Sequence, residues 1–476
     1  MSIATSRPPI FESRSIDYVP WKERHGKVWH QGPFWFTSNF VLFTLAVGFI
    51  GPLAGLGLGW TAVAAVVGSV VGTFFMAFHA NQGPRLGVPQ MVQSRAQFGT
   101  RGVIFALLAA LFVYIGLNVF NIAMATQGFQ SVVGMGSRWP WYVAIVAAQA
   151  IIAIVGHDMI HLVQRWLTYV LIVVFAVLTV GSVMVLGGTS LLNMGPVSPV
   201  AFFSQLAGVA GFLIAYSIYV SDYTRYLPAE TKLRPVVLWT YLGAVLSTVW
   251  LVPLGALFAI DLKNGATVTS VSTAGNMITP GFGSAVMLIS SIALVTVMSV
   301  NTYGAVLVTL TAIDGFHPIR SSVRTRVIGA IAVSALMLAI ALLVPERDEG
   351  AFTGFLSLML YLLIPWSAVN LVDYYWVRHG KYSVVDMFRR TSIYGRWAWR
   401  GLVSYAAGLL AMAPFFVLPF YVGPAAQALG GVDISIVFGL PVAALVYYYL
   451  ARNLDLRLEG IAHEASLATL EPRTAA

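Results

Sequence analysis

The chain has no cysteine, which excludes a disulfide framework, an iron–sulfur centre and a thiolate metal site. Charge is scarce: Asp, Glu, Lys and Arg make up 9% of 476 residues, against 58% apolar. The 18 acidic residues fall at the ends of apolar segments, in loops or in tails, with Asp222, Asp261, Asp314 and Asp373 nearest to them. The first 30 residues contain no apolar core, so a cleavable signal is not expected. No connection is long enough to hold an inserted soluble domain. What the chain does have is long hydrophobic runs reaching the ~20 residues that cross a bilayer. With a mean hydropathy of +0.81, they rule out a soluble core of this size.

Twelve spans are predicted, at about 33–58, 61–82, 102–133, 140–156, 162–188, 201–221, 236–260, 281–313, 326–344, 350–374, 398–421 and 432–451. An even number places both termini on one face. Of the 27 Lys and Arg residues, all but Arg138, Lys263 and Arg347 then lie on that face. They run from Arg7 and Arg14 in the N-terminal tail through Arg85, Arg95, Arg165, Arg225, Arg320 and Arg378 to Arg473. By the positive-inside rule both termini are cytoplasmic, and an incorrect span count would scramble the division. The net charge of +9 therefore reads as topology-setting charge facing anionic lipid, with no nucleic-acid partner. Residues 1–30 and 453–476 read as mobile cytoplasmic tails.

Two spans depart from plain anchoring helix. The first runs from Phe40 through Phe49 and Pro52 to Gly55, Gly57 and Gly59; the sixth contains Gly208, Gly211 and Ser217. Glycine costs a helix interior about 1 kcal/mol relative to alanine, and proline removes a donor. Such residues either allow close helix packing or mark discontinuous helices whose freed backbone groups bind substrate and cation. Spans one and six occupy equivalent positions if the chain is two repeats of five, which points to a transporter site near the bilayer midplane.

Polar residues inside the spans are few and mostly neutral. Tyr114, Asn118 and Asn121 step by four and three along one face of the third span, and the eighth carries Thr296, Ser299, Asn301, Thr302 and Tyr303. Buried amides join helices together or read donor–acceptor patterns on a planar ring. With no acid at mid-depth, a neutral aromatic solute fits better than an amino acid or a phosphate. His157 and His161, four apart beside Asp158, superficially resemble a zinc-protease helix. They lie in a short connection with Asp in place of Glu, and no third ligand is evident nearby.

Several segments resemble the purine–cytosine permease branch of the nucleobase–cation symporter 1 family. These are Trp35-Phe-Thr-Ser-Asn39; Gly83-Pro-Arg-Leu-Gly-Val-Pro-Gln-Met91 with Ser94, Arg95, Phe98 and Gly99; and Ser221-Asp-Tyr-Thr-Arg-Tyr-Leu-Pro228. A fourth is Pro365-Trp-Ser-Ala-Val-Asn-Leu-Val-Asp-Tyr-Tyr375 with Arg378, Gly380 and Tyr382. The resemblance extends from about 30 to 452. It implies an all-α polytopic membrane protein of the leucine-transporter type, an inverted 5+5 repeat with two additional C-terminal helices. The implied division is a tail at 1–30, a ten-helix core at 31–375 (repeats about 31–190 and 198–375), a loop with helices 11 and 12 at 376–452, and a tail at 453–476.

The resemblance also implies site residues. Tyr114 stacks on the substrate ring and Asn118 bonds its edge, with Phe212 (or, one residue on, Leu213), Asn301, Phe49 and Gly211 completing the substrate set. The cation set is Leu42, Leu45, Thr296 and Ser299. Where a further hydroxyl is expected the chain has Val300, which leaves proton and sodium coupling open. Arg95, Asp222, Arg225 and Asp373 are gate candidates, Arg95 pairing with either Asp222 at the end of the sixth span or Asp373 at the end of the tenth.

The expected activity is secondary active import of a nucleobase with a cation, by alternating access, in the plasma membrane. The chain is expected to have no enzymatic activity, no cofactor and no obligate protein partner. Alternatives are a same-fold symporter for allantoin, hydantoin, uracil or a vitamin, and a membrane sensor.

Overall fold

In lipid a backbone must satisfy its own polar groups, and for these apolar runs the helix is the structure that does so. The computed structural model describes residues 15–134, 136–186, 194–263, 265–319, 322–344 and 349–472. Arg7, Arg14, Arg320, Arg347 and Arg473 of the charge division lie outside the described residues, as do the side chains of His157, Asp158, His161 and Arg165.

The first span is broken. Helix α1 (Gln31–Asn39) ends at Phe40 and helix α2 (Leu42–Val47) begins after Val41, with a bend of 62° across the join. Straight helices follow: α3 (Leu58–Ala80), α4 (Ile104–Val133), α5 (Arg138–Val155) and α6 (His157–Val185). The sixth span is also broken, into α7 (Pro199–Ile214), a 3-10 turn at Ala215–Ile218, and the short α8 (Val220–Thr224). Then come α9 (Leu233–Leu262), a 12-residue helix α10 (Thr267–Ile278) that no span predicted, α11 (Phe282–Phe316), α12 (Val323–Leu343) and α13 (Glu349–Val372). Helix α13 runs on through one π-helical turn at Asp373–Val377.

Among the described residues nine helices are long and apolar enough to cross a membrane, or eleven if each bent pair is one span. The span predicted at 398–421 is cut short. Helix α14 (Trp399–Met412) stops at a turn containing Pro414, and a hairpin of strands β1 (Val417–Leu418) and β2 (Tyr421–Val422) follows. Helix α15 (Ser435–Ala451) packs along α14, and the chain then bends by 92° into α16 (Leu456–Leu470).

Residues expected to be mobile tails are built into the structure. Helix α16 bonds the loop after α13: Arg378 forks onto Glu459 (2.6 and 3.0 Å), and the Val385 amide donates to Ser466 (3.1 Å). Before α1, Ser15, Ile16 and Arg24 are buried, and the Arg24 guanidinium donates to the Val19 and Pro84 carbonyls. The reason is unmet polar groups in loops and at helix ends: Arg378 and the Val385 amide find acceptors on α16, and the Val19 and Pro84 carbonyls find Arg24.

The most buried of the nine long helices are α7, α11 and α13, whereas α5 and α6 are among the least buried. Helix α4 lies along α11, and α3 lies against both α7 and α9. The broken helices therefore run through the middle of the bundle.

Candidate functional site

Where α1 ends, Asn39 bridges both halves of the break and a neighbouring helix. Its amide nitrogen donates to the Ala244 carbonyl, Ser247 and Thr248 (2.5–3.1 Å), and its side-chain oxygen accepts from Thr44 at 3.2 Å. The Thr44 hydroxyl also donates to the Asn39 carbonyl, and Tyr216, in the 3-10 turn of the other broken helix, donates to the Ser38 carbonyl at 3.1 Å. The two interruptions thus brace each other. A second amide, Gln205 on α7, accepts from Gly51 N–H (2.7 Å) and donates to the Val47 carbonyl (2.9 Å), stitching the end of α2 to the turn at Ile50–Leu53.

These positions correct the sequence reading. The glycines of the sixth span stay helical; a Cβ at Gly211 would lie 2.5 Å from the Leu356 carbonyl, so that glycine serves close packing of α7 on α13. The first break falls at Phe40 and Val41 (φ −93°, ψ 66° and φ −139°, ψ 166°), ahead of Gly48 and Pro52. Helical Leu42 and Leu45 therefore do not carry the freed carbonyls. Leu45's accepts from Gly48 N–H and lies against Gly255 of α9. The carbonyls released by the break are those of the last turn of α1 and its link to α2.

Facing the broken pair, α4 and α11 hold the polar group. The Asn118 amide nitrogen donates to the Met298 carbonyl and the Thr302 hydroxyl, both at 3.0 Å. Its oxygen accepts from the Asn301 amide at 2.9 Å, and the Asn301 oxygen is left buried without a hydrogen-bond partner. One turn along α11, Gly304 makes room for Tyr114, whose hydroxyl lies 2.5 Å from where a Cβ would stand and has no partner. The Tyr114 ring meets Tyr219 (centroids 5.3 Å apart, planes at 47°). Phe212, the expected sixth-span aromatic, instead stacks on Phe43 at 5.1 Å. Phe49 is buried, and neither it nor Gly211 makes a described bond to the Asn118 group.

Thr296 and Ser299 are buried on α11, their hydroxyls donating back to the Ala293 and Thr296 carbonyls (2.8 and 2.6 Å). Each hydroxyl oxygen keeps acceptor capacity. Val300 is buried with an aliphatic side chain.

The gate candidates lie at the end of the bundle that carries both termini. Three of the four motif segments converge there: Gln90 N–H donates to Asp222 (2.8 Å), Gln82 to Asn370 (2.7 Å) and Gln97 to Asp373 (2.6 Å). Arg95 pairs with neither Asp222 nor Asp373. It makes an ion pair with Asp314 at 2.9 Å and donates to the Thr311 and Met387 carbonyls. Burial lowers the pKa of its guanidinium, and Asp314 opposes that shift. Arg225 donates to the Ser15 carbonyl (2.8 Å) and to Tyr303 (3.1 Å).

Asp373, wholly buried at the π-helical turn, accepts from Gln97, Tyr382 (2.8 Å), Tyr447 (2.7 Å) and Arg378. Burial alone would lower the Arg378 pKa, but Asp373, Tyr447 and Glu459 together hold it above the usual arginine value. Residues the sequence reading did not single out as site members are Gln205, Tyr216, Tyr219 and Gly304. Only Tyr219 carried a signal, as an aromatic beside the Ser221–Pro228 segment.

Broken first and sixth helices crossing a straight third and eighth define a transport protein of the leucine-transporter type. The chain belongs to the family of permeases for cytosine/purines, uracil, thiamine and allantoin, which matches residues 18–439. The putative purine-cytosine permease YxlA of Bacillus subtilis is 34% identical over 93% of this chain and 96% of its own length. The purine-cytosine permease fcyB of Emericella nidulans is 26% identical over 94% and 90%. Among solved structures, Mhp1, a nucleobase-cation-symport-1 family transporter, in a closed conformation with bromovinylhydantoin bound, has a TM-score of 0.75 at 18% identity. That match covers 95% of this chain and 99% of Mhp1. Inward-facing Mhp1 gives 0.72 over 96% and 99%.

Proposed function

We propose that this protein is a secondary active transporter that imports a neutral, flat nucleobase-type heterocycle together with a cation, by alternating access. Both termini lie in the cytoplasm and the protein sits in the plasma membrane. The observation that carries the reading is a pair of buried, unpartnered groups one helical turn apart: the Asn301 oxygen and the Tyr114 hydroxyl. One accepts and the other donates, the complement of a ring edge with alternating N–H and C=O groups. Tyr114 and Tyr219 supply aromatic faces beside it, each offset stack worth about 0.5–1.5 kcal/mol beyond burial. A base with the wrong edge leaves one of these groups unpaired, at about 1–3 kcal/mol.

The cation is assigned to the join of α1 and α2, where α2 meets α11, with the hydroxyls of Thr296 and Ser299 as partners. Val300 in place of a third hydroxyl favours a proton over sodium. Opening toward the cytoplasm is assigned to the motif cluster around Asp222, Arg225, Asp373 and Arg95.

The test is uptake of radiolabelled cytosine, adenine, hypoxanthine, uracil and allantoin into vesicles, with proton and sodium gradients imposed separately. Accumulation of one base that collapses with the proton gradient and ignores sodium is expected. Sodium dependence would overturn the reading of Val300. No uptake of any of the five would overturn the nucleobase assignment and move the substrate to another heterocycle, as the hydantoin held by Mhp1 illustrates.

A further inference from the structure

A second cavity, of about 520 Å³, opens at the end bearing the termini and is separate from the Asn118–Asn301 group. Its walls come from five segments: the extension of α3, the start of α9, the turn after α13, helix α16 and the chain before α1. Arg85, Lys381, His379 and His463 line it, and no carboxylate does. Arg85 and Lys381 are exposed, and neither makes an ion pair among the described residues. Both histidine rings are held by carbonyls through Nδ1, His379 by Tyr375 (2.9 Å) and His463 by Tyr382 (2.8 Å). A cavity lined by the guanidinium of Arg85 and the ammonium of Lys381, with no carboxylate in its lining, suits an anion.

Its remaining walls argue for a particular anion. Trp21, Tyr374 and Tyr375 bring three aromatic rings to the lining. Asn81 is 5% exposed, and its side-chain oxygen has no hydrogen-bond partner, while its nitrogen lies by the hydroxyls of Tyr374 (3.5 Å) and Tyr375. A buried, unpaired amide oxygen calls for a donor from the ligand, such as the amine or ring N–H of a base. A bare phosphate or a lipid phosphodiester has neither a flat ring nor that donor.

From this combination we infer that the cavity binds a nucleotide: a flat nitrogenous ring joined to a phosphate. The phosphate lies among Arg85, Lys381 and the histidines, and the base lies against the tyrosines with its donor on Asn81. A ligand there would join segments that must separate when the cytoplasmic end opens, so it would hold the transporter shut. The binding statement rests on the cavity alone; the brake rests also on the transport reading above. The chemistry is that of a product inhibitor, because attaching a sugar phosphate to an imported base yields such a molecule.

The test uses the full chain in nanodiscs of zwitterionic lipid, titrated with AMP and CMP and followed by thermophoresis and thermal unfolding. Controls are inorganic phosphate, free adenine and cytosine, and nanodiscs containing phosphatidylglycerol. Saturable nucleotide binding is expected, with a raised unfolding temperature and at least a tenfold loss in the Arg85→Gln/Lys381→Gln variant. Asn81→Leu should lower nucleotide affinity several-fold without changing phosphate binding.

No nucleotide binding, or equal binding by the double variant, overturns the inference. Inorganic phosphate binding as tightly as AMP overturns the role of the rings. Loss of nucleotide binding in phosphatidylglycerol discs, with that lipid bound by the wild type and not by the double variant, reassigns the cavity to a lipid headgroup and overturns the nucleotide assignment. Nucleotide sealed inside vesicles should slow uptake by the wild type and leave the double variant unaffected. Binding is read without transport, so nucleotide binding in a protein that takes up no base would sink the transport reading alone.

Discussion

Asp373 and Phe352 both tie α13 to the rest of the bundle, at opposite ends and by different chemistry. At the end with the termini, one buried carboxylate collects Gln97, Tyr382, Tyr447 and Arg378, and Arg378 passes the connection to Glu459 on α16. At the other end Phe352 meets Phe43 on α2 (5.1 Å) and Phe120 on α4 (5.3 Å), and Phe120 meets Phe355 (5.4 Å). Hydrogen bonds to a buried charge have fixed directions and leave costly orphans when broken, so such a cluster is either whole or open. Aromatic contacts are broad in geometry and lose little on a small slide. One end is built to switch and the other to adjust.

The largest test of that contrast is Asp373→Ala. It leaves Arg378 with Glu459 as its one acid and removes the shared acceptor of two tyrosines and a glutamine, a loss of about 3–5 kcal/mol for a broken buried pair. A marked fall in unfolding temperature in detergent and loss of uptake are expected; near wild-type values would break the comparison. Next comes Asn118→Ala, between the two ends. It orphans the Asn301 nitrogen beside the already unpartnered Asn301 oxygen, at about 1–3 kcal/mol, so uptake should be abolished while membrane insertion and folding persist. Retained uptake at the wild-type rate would remove Asn118 from the site.

Phe352→Leu should have a smaller effect, about 0.5–1.5 kcal/mol for the lost ring contacts, seen as faster substrate release with little change in unfolding. A loss as large as that of Asp373→Ala would erase the difference between the ends. The smallest effect is expected of Asp433→Asn. Asp433 lies before α15 and accepts from Tyr361 (2.5 Å) and Ser435 N–H (2.9 Å). Burial raises its carboxyl pKa above the usual carboxylate value, and these bonds oppose the rise. A raised folded-state pKa means the native state binds more protons, so the charge costs stability above that pKa and the cost fades as pH falls to the unfolded value. Asparagine keeps an acceptor without the charge. At neutral pH the variant should unfold within about 1 kcal/mol of the wild type, on the stable side, with the gap closing on acidification.

Much of this was legible in the chain. Hydropathy marked the long helices, because a bilayer demands length and apolarity together. The Tyr114, Asn118, Asn121 spacing marked the polar face of α4, and all three are buried. Other readings failed for specific reasons. For Gly208 and Gly211 the sequence left a hinge and a packing contact both open, and they are contact points, since a missing Cβ serves either use and only the neighbour decides; for Gly211 the neighbour is the Leu356 carbonyl. The second ring beside Tyr114 is Tyr219, because α7 ends at Ile214 and the following turns re-aim the side chains. Arg95 found Asp314, far along the chain, and helix α16 was read as a tail because its 15 residues are too few to span a bilayer and its partners lie in distant loops.

The sequence by itself determined that the chain lives in a membrane, which helices carry amides and hydroxyls, and which family's motifs it bears. These are properties of single segments and their periodicity. Only the tertiary structure decided where the two helices break, which ring faces which, and which cation meets which carboxylate. Those outcomes depend on backbone groups freed at the breaks and on the nearest donor across the bundle, which no single segment contains.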